Sequence, residues 1–205
     1  AGAFTELFAD APAILSREMF ASIRPLWRQR AFATARQRLM AAAAVSSAAR
    51  VALLALVAAL PRQLVVHELR HGLLLHVVAA LRADDAAGRA AAMAALSDAE
   101  MVGQIMPLLA EHLAALVEAL LRRTGDSSEE TRARAMRLLA MLADAPYEAV
   151  HTARKRVLSG IAEFLDDDKR QVRREAVRCR SKWCADGWRV SEAIRETDMK
   201  SGTGA

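Results

Sequence analysis

A pattern of apolar helix ends recurs along the chain about every forty residues. Each end is a pair of apolar residues before a polar turn, and the four pairs are Leu39-Met40, Ala80-Leu81, Leu120-Leu121 and Phe164-Leu165. Their second members are 41, 40 and 44 residues apart. An arginine early in each following segment keeps a similar register, at Arg50, Arg89, Arg132 and Arg173. A period of this length indicates a repeat architecture, in which each unit buries its apolar face on its neighbours.

The composition indicates that the repeated unit is helical. Hydrophobic residues make up 54% of the chain but aromatic residues only 4%, and alanine occurs in runs such as residues 41–44. Alanine and leucine favour helices, and the β-branched and aromatic clusters typical of strands are missing from the sequence. Two helices in a forty-residue unit are typical of the HEAT and armadillo class. We therefore predict an all-α protein, an α-solenoid of about four HEAT-like repeats.

The same pattern predicts where the units lie. We expect the first helices near residues 48–60, 85–97, 128–144 and 168–184, and the second helices near residues 63–82, 104–123 and 147–165. The predicted domains are an incomplete or degenerate repeat over residues 1–47, stacked repeats over 48–184 and a flexible tail over 185–205. The early arginines Arg50, Arg89, Arg132 and Arg173 are expected to join repeats by pairing with loop carboxylates such as Asp168.

The segment Phe164–Trp183 combines an acidic turn with a strongly basic amphipathic helix. Val172, Ala176, Cys179 and Trp183 recur at helical spacing and predict one apolar stripe, while cations occupy the rest of the circumference. The basic face fits a solvated surface, a surface for an acidic protein partner or a phosphate-binding surface. We expect a docking surface with a partly exposed Trp183, formed by Lys169, Arg170, Arg173, Arg174, Arg178 and Trp183, plus Glu68, Arg154, Lys155 and Arg156 on second helices.

The segment His67-Glu68-Leu69-Arg70-His71 matches the H-E-x-x-H pattern of zinc peptidases. Catalytic zinc needs a third protein ligand, and Leu74 and Val77 stand where one common continuation places Gly and His. We therefore predict no metal site and no catalytic residue, with the two histidines on the solvent or groove side and their apolar neighbours inward. A zinc peptidase is kept as a remote alternative.

Charge, cysteine count and hydropathy bear on three further possibilities: nucleic-acid binding, an iron–sulfur cluster and a membrane segment. The net charge of +5 is mild for 205 residues and does not by itself indicate nucleic-acid binding. Cys179 and Cys184 are too few for an iron–sulfur cluster and fit reduced thiols, so no cofactor is expected. The longest apolar run, Val51–Leu60, is about half of the ~20 residues that a membrane span needs, so neither a membrane segment nor a leader is expected.

The C-terminal tract is similar to the last repeat of the MMS-nineteen family. That repeat carries the pattern L-D-D-x-K-R-x-V-R-x-E-A-V-x-x-R-x-x-W, matched here by Leu165, Asp166, Asp167, Lys169, Arg170, Val172, Arg173, Glu175, Ala176, Val177, Arg180 and Trp183. The segments LWRQRAF (residues 26–32) and LPRQLVVHELRHGLLLHVVAAL (residues 60–81) also resemble segments of the family.

This resemblance implies a non-enzymatic domain of a HEAT-repeat scaffold that serves the cytosolic iron–sulfur protein assembly complex. In that family the C-terminal region docks a small DUF59-type subunit and, through it, a WD-propeller subunit. The complex delivers clusters to apo-proteins that include DNA repair and replication enzymes. A cytoplasmic and nuclear location follows, and we do not expect direct nucleic-acid binding. The alternatives are a generic HEAT adaptor and a nucleic-acid-associated repair or transcription accessory.

Overall fold

The computed structural model describes residues 30, 33–34, 36–38, 40–42, 46–58 and 62–201, with side chains omitted for 62–63 and 186–201. The described part of the chain contains helices and turns and no strand, which confirms the all-α prediction. The helices are α1 Ser47–Ala58, α2 Arg62–Glu68, α3 Leu74–Arg82, α4 Ala86–Ala95, α5 Ala99–Gln104, α6 Met106–Glu111, α7 Leu113–Thr124, α8 Glu129–Leu142, α9 Tyr147–Gly160 and α10 Arg170–Ser201; a 3₁₀ turn spans Ala162–Asp166.

The first helices of the units match their predicted positions, as α1, α4, α8 and α10. The second helices are more broken than predicted, since 63–82 is divided into α2 and α3 and 104–123 into α6 and α7, with the short helix α5 ending at Gln104. Helix α10 continues to Ser201, beyond its predicted end at residue 184. Most of the predicted degenerate repeat, residues 1–47, lies outside the described residues, as do residues 202–205 of the predicted tail.

The chain divides into two compact units, the first of which is Ala1–Ile105. Inside it, α1 packs on α4, α3 packs on both, and α2 packs on α5. The residues that fill this core are fully or almost fully buried and include Leu53, Leu54, Val57, Leu69, Leu73, Val77, Leu81 and Met93. Each helix thus buries one apolar side on a neighbour, as a repeat with no core of its own requires.

The second unit is Met106–Ala205. Here α8 packs on α10, α7 packs on both α8 and α9, and α9 packs on α10. First helices therefore pack on first helices and second on second, as in stacked two-helix repeats. The α7–α9 contact is close at Gly160, where a Cβ would lie 2.8 Å from a methyl carbon of Leu121.

An arginine closes the loop before three of the first helices in the same way. Arg89 donates to the carbonyl of Ala83 at 3.3 Å, and Arg132 donates to the carbonyl of Asp126 at 2.9 Å. Arg173 donates likewise to the carbonyl of Asp167. In each case the acceptor lies six residues before the arginine, so the early arginine is a loop-closing residue in all three repeats.

One of these arginines also joins neighbouring repeats, as predicted. Arg132 on α8 donates from Nε and Nη2 to the two carboxylate oxygens of Asp167, at 3.0 and 3.1 Å. The partner is the half-buried Asp167 and not the predicted Asp168, which is exposed. The Oδ1 atom of Asp167 also accepts a hydrogen bond from the Lys169 N–H at 2.8 Å. For Arg50, Arg89 and Arg173 the pairing with another repeat stays a prediction.

Helices α2 and α3 are separated by a break at His71 and Gly72. Gly72 has φ of 102°, the left-handed region that glycine adopts without steric cost, and His71 also leaves the helical region. The stretch Leu64–Arg82 is long and apolar enough to cross a membrane, but more than half of it is buried inside the protein. Packing in the first unit therefore accounts for its apolar character.

A candidate docking surface on helix α10

One side of α10 is embedded in the second unit. Val172, Ala176, Cys179 and Trp183 are each 0% exposed, which confirms the predicted apolar stripe. Burial raises the pKa of the Cys179 thiol to about 12, although the Lys182 charge acts in the opposite direction. This cysteine is therefore an inert core residue, whereas Cys184 is exposed.

The prediction that Trp183 is partly exposed was wrong. Its indole Nε1 donates a hydrogen bond of 2.8 Å to the backbone carbonyl of Leu139. Leu139 lies in the last turn of α8, where carbonyl groups have no partner inside the helix. The indole satisfies one of these carbonyls, so Trp183 fastens α10 to α8 and is not exposed at the surface of the second unit.

The opposite side of α10 carries exposed cations. Lys169, Arg170, Arg174, Arg178 and Arg180 are all exposed, and they surround Val177, an apolar side chain that is 53% exposed. We call these six residues the α10 face. An open groove of about 650 Å³ lies beside it, lined by Glu129, Arg170, Gln171 and Arg174.

Glu175 is the one acidic side chain between Lys169 and Lys182, and it is buried. Its carboxylate Oε1 lies 3.3 Å from a guanidinium nitrogen of Arg174 and 4.0 Å from Nε of Arg137. Sequence reasoning missed this residue, although a lone glutamate next to the buried Ala176 was a signal. Glu175 turns inward, so the exposed charged side chains between Lys169 and Lys182 are all positive.

The other predicted docking residues differ in exposure and in what they contact. Arg173 is half-buried and closes the loop before α10. On α9, Lys155 and Arg156 are exposed, whereas Arg154 donates to the carbonyl of Cys184 at 3.2 Å and so ties α9 to α10. Glu68 was predicted to contact a partner, but it is only 6% exposed and forms an ion pair with Arg36 in the first unit.

The H-E-x-x-H segment lies at the break between α2 and α3. His67 and His71 are exposed while Leu69 and Leu73 are buried, as predicted. The two imidazole rings stack, with centroids 4.0 Å apart and planes inclined by 22°. Within the described residues no group of three or more His, Cys, Asp or Glu side chains is placed to hold a metal.

The sequence of this chain matches a known protein family. A family model, MMS19_C, described as RNAPII transcription regulator C-terminal, matches residues 1–143. The chain belongs to the MMS19 C-terminal family. The matched residues end before Phe164–Trp183, the tract whose pattern indicated the family from the sequence.

Curated relatives named MMS19 nucleotide excision repair protein homolog match most of the chain. The protein from Arabidopsis thaliana is 26% identical over 196 residues, that from Xenopus tropicalis 30% over 191, and that from Danio rerio 32% over 188. About 90% of this chain is covered, but only 17–18% of each relative. The chain is thus a repeat protein of a family associated with repair and transcription, and it spans less than a fifth of its curated relatives.

Solved structures with a similar fold are designed armadillo repeat proteins. One, designed for modular peptide recognition, gives a TM-score of 0.53 at 21% identity and covers 66% of this chain and 58% of that one. Another, solved in complex with the peptide (KR)4, gives a TM-score of 0.53 at 17% identity and covers 90% of this chain and 87% of that one. These similarities concern the fold, and they confirm the predicted α-solenoid class.

Proposed function

We propose that this chain is a non-enzymatic docking domain of the cytosolic iron–sulfur assembly targeting complex, working in the cytoplasm and nucleus. It binds the DUF59-type subunit and, through it, the WD-propeller subunit. In this way it supports cluster delivery to apo-proteins that include DNA repair and replication enzymes. Membership of the MMS19 C-terminal family and the repeat fold support this proposal.

The single observation that carries the docking role is the asymmetry of α10. Its buried stripe and the Trp183 hydrogen bond fix the helix to α8, and of the exposed cations of the α10 face Arg174 also pairs with the buried Glu175. Exposed arginines around a half-exposed apolar side chain form a surface that suits an acidic partner, because arginine is enriched in interface hot spots. The cations also accelerate association with an acidic surface through long-range attraction.

We propose Val177 as the apolar centre of this surface. Trp183 is buried, so the apolar contact comes from Val177, with Arg174 and Arg178 beside it on the same helix. We expect the partner to place an apolar side chain on Val177 and carboxylates around it. Substituting Val177 with Asp should weaken binding without unfolding the chain, because about half of the side chain is in solvent.

The test is the affinity of the full 205-residue chain for the DUF59-type subunit, measured by calorimetry. Reversing three charges of the α10 face, in Arg170→Glu, Arg178→Glu and Arg180→Glu together, should weaken binding at least tenfold. Reversal of the exposed Arg82 in the first unit serves as the control. Unchanged affinity in the triple variant would refute the assignment to the α10 face, and no binding by the unaltered chain would refute the docking role.

A second set of variants separates α10 from the second helices of the repeats. Lys155 and Arg156 are exposed on α9, so Lys155→Glu with Arg156→Glu tests that surface alone. Under the α10 proposal this double variant binds almost as tightly as the unaltered chain. A larger loss in the α9 variant than in the α10 variant would move the docking surface to α9.

A nucleic-acid role is the second candidate, favoured by the same exposed cations and by the relatives' naming for nucleotide excision repair. Phosphate contacts by Lys and Arg weaken steeply as salt rises, because binding releases counterions. Titration of duplex DNA at two salt concentrations tests this role. Tight binding at low salt with a steep decrease on adding salt, lost in the α10 charge-reversal variant, would support it; weak binding at low salt argues against it.

A further inference from the structure

We propose that His67 and His71 form a binding site for one divalent transition ion of the imidazole-preferring class, such as Zn²⁺, Cu²⁺ or Ni²⁺. The site is independent of the docking role and lies in the first unit, whereas the α10 face lies in the second. It is also distinct from a peptidase centre, because Glu68, which would act as the general base there, forms an ion pair with Arg36.

The hydrogen bonds of the two rings fix their neutral tautomers. Nδ1 of His71 lies 2.6 Å from the backbone carbonyl of His67, and since a carbonyl only accepts, this nitrogen carries the proton. Nδ1 of His67 lies 3.3 Å from the carboxylate Oε1 of Glu68, so by the same reasoning it too carries a proton. Both Nε2 atoms are then left with free lone pairs. A ligand histidine whose other nitrogen donates to a carboxylate or a carbonyl is the usual arrangement at protein metal sites.

The spacing of the rings is close to what one ion requires. Two imidazole nitrogens bound tetrahedrally at a Zn–N distance of about 2.0–2.1 Å lie about 3.3 Å apart. The stacked ring centroids are 4.0 Å apart with planes inclined by 22°, so the two exposed rings are close neighbours, and both must turn for their Nε2 lone pairs to converge on one ion. The backbone beneath is held in place, because Arg36 donates to the carbonyl of His71 at 3.3 Å and pairs with Glu68.

The charges around the pair permit a cation. Arg70 stands between the two histidines in sequence, but its guanidinium donates to the carbonyl of Gln104 at 2.8 Å. Glu68 places a carboxylate beside His67, although Arg36 offsets its charge. Because Glu68 is buried and ion-paired, it is not placed to activate a water molecule. The ion would therefore be bound without hydrolysis, with water or an external donor completing its coordination.

The test is a calorimetric titration of the untagged full chain with Zn²⁺ and with Cu²⁺. We expect one ion per chain, tighter binding of Cu²⁺ than of Zn²⁺ and no binding of Mg²⁺, which prefers oxygen ligands. His67→Gln and His71→Gln should each weaken binding at least tenfold while leaving the circular dichroism spectrum unchanged. His151→Gln, at an exposed histidine of α9, is the matched control and should bind like the unaltered chain.

Two results would overturn the proposal. One is equal affinity in the unaltered chain and in His71→Gln, which would place the ion elsewhere. The other is no measurable binding of either ion by the unaltered chain. A third measurement checks the ligand chemistry: affinity should fall on acidification, because a protonated imidazole has no lone pair to donate, and an affinity independent of pH would contradict ligation by histidine.

Discussion

Substituting Trp183 with Phe should separate the hydrogen bond of the indole from its packing. Phe fills most of the same space but has no donor, so the Leu139 carbonyl, buried against α10, loses its partner. Leaving a buried acceptor unsatisfied costs about 1–3 kcal/mol. Trp183→Ala also opens a cavity between α8 and α10 and should cost about 3–5 kcal/mol. The ratio of the two effects reports how much of the α8–α10 attachment depends on the hydrogen bond.

The measurement is urea unfolding followed by circular dichroism, supported by thermal unfolding. For a protein of this size, each kcal/mol corresponds to a change in Tm of roughly 2–4 °C. Val177→Ala is the matched control on the same helix, because a half-exposed side chain contributes within about 0.5 kcal/mol. If Trp183→Phe unfolds at the same urea concentration as the unaltered chain, the hydrogen bond does not stabilise the attachment and the reasoning fails.

Three further predictions concern single groups. Asp167→Asn should cost about 1.5–3 kcal/mol at neutral pH, as expected for hydrogen bonds to a charged group. Burial raises the pKa of Asp167, but the Arg132 and Lys169 hydrogen bonds and the Arg132 and Arg173 charges outweigh it and lower that pKa below its usual range. The stabilisation is therefore present above the pKa of an unfolded aspartate and is lost as the pH falls through the lowered value. Urea unfolding at neutral and strongly acidic pH should show that the difference in unfolding free energy between Asp167→Asn and the unaltered chain disappears in acid. A difference that stays constant would contradict this prediction. Gly72→Ala should cost about 1–2 kcal/mol from its left-handed backbone alone, with no added clash since a Cβ there meets nothing within 4 Å; urea unfolding that matches the unaltered chain would contradict this. A disulfide reagent should label one of the two thiols quickly in the folded chain, Cys184, and the other only after unfolding; rapid labelling of both would show that Cys179 is not buried.

The repeat period and the apolar stripes were predictable from the sequence because they depend on local spacing. The first helices α1, α4, α8 and α10 occur where the pattern placed them, and the stripe from Val172 to Cys179 is buried. Both follow from the 3.6-residue period of the α-helix, which each segment contains in its own sequence.

The depth of burial and the choice of partner were not predictable, because they depend on segments far apart in the chain. Trp183 belonged to the predicted stripe, but only the Leu139 carbonyl, 44 residues away, explains why an indole is fully buried there. The sequence around Glu68 predicts an exposed acidic residue, because the ion pair with Arg36 joins segments far apart in the chain. Three aspartates in a row gave no reason to choose Asp167 over Asp168, since that choice depends on the position of Arg132.

The loop-closing arginines have a consequence for how such a chain gains or loses repeats. Arg89, Arg132 and Arg173 each bind a carbonyl six residues earlier, so a corner and the start of its helix form one short cassette. A cassette that needs no distant residue can form early in folding, when only contacts close in sequence are inexpensive in entropy. A duplicated or deleted repeat would carry its corner with it, and only the surfaces facing its new neighbours would have to adapt. Change in the length of this array is thus restricted by the faces between repeats and not by their turns.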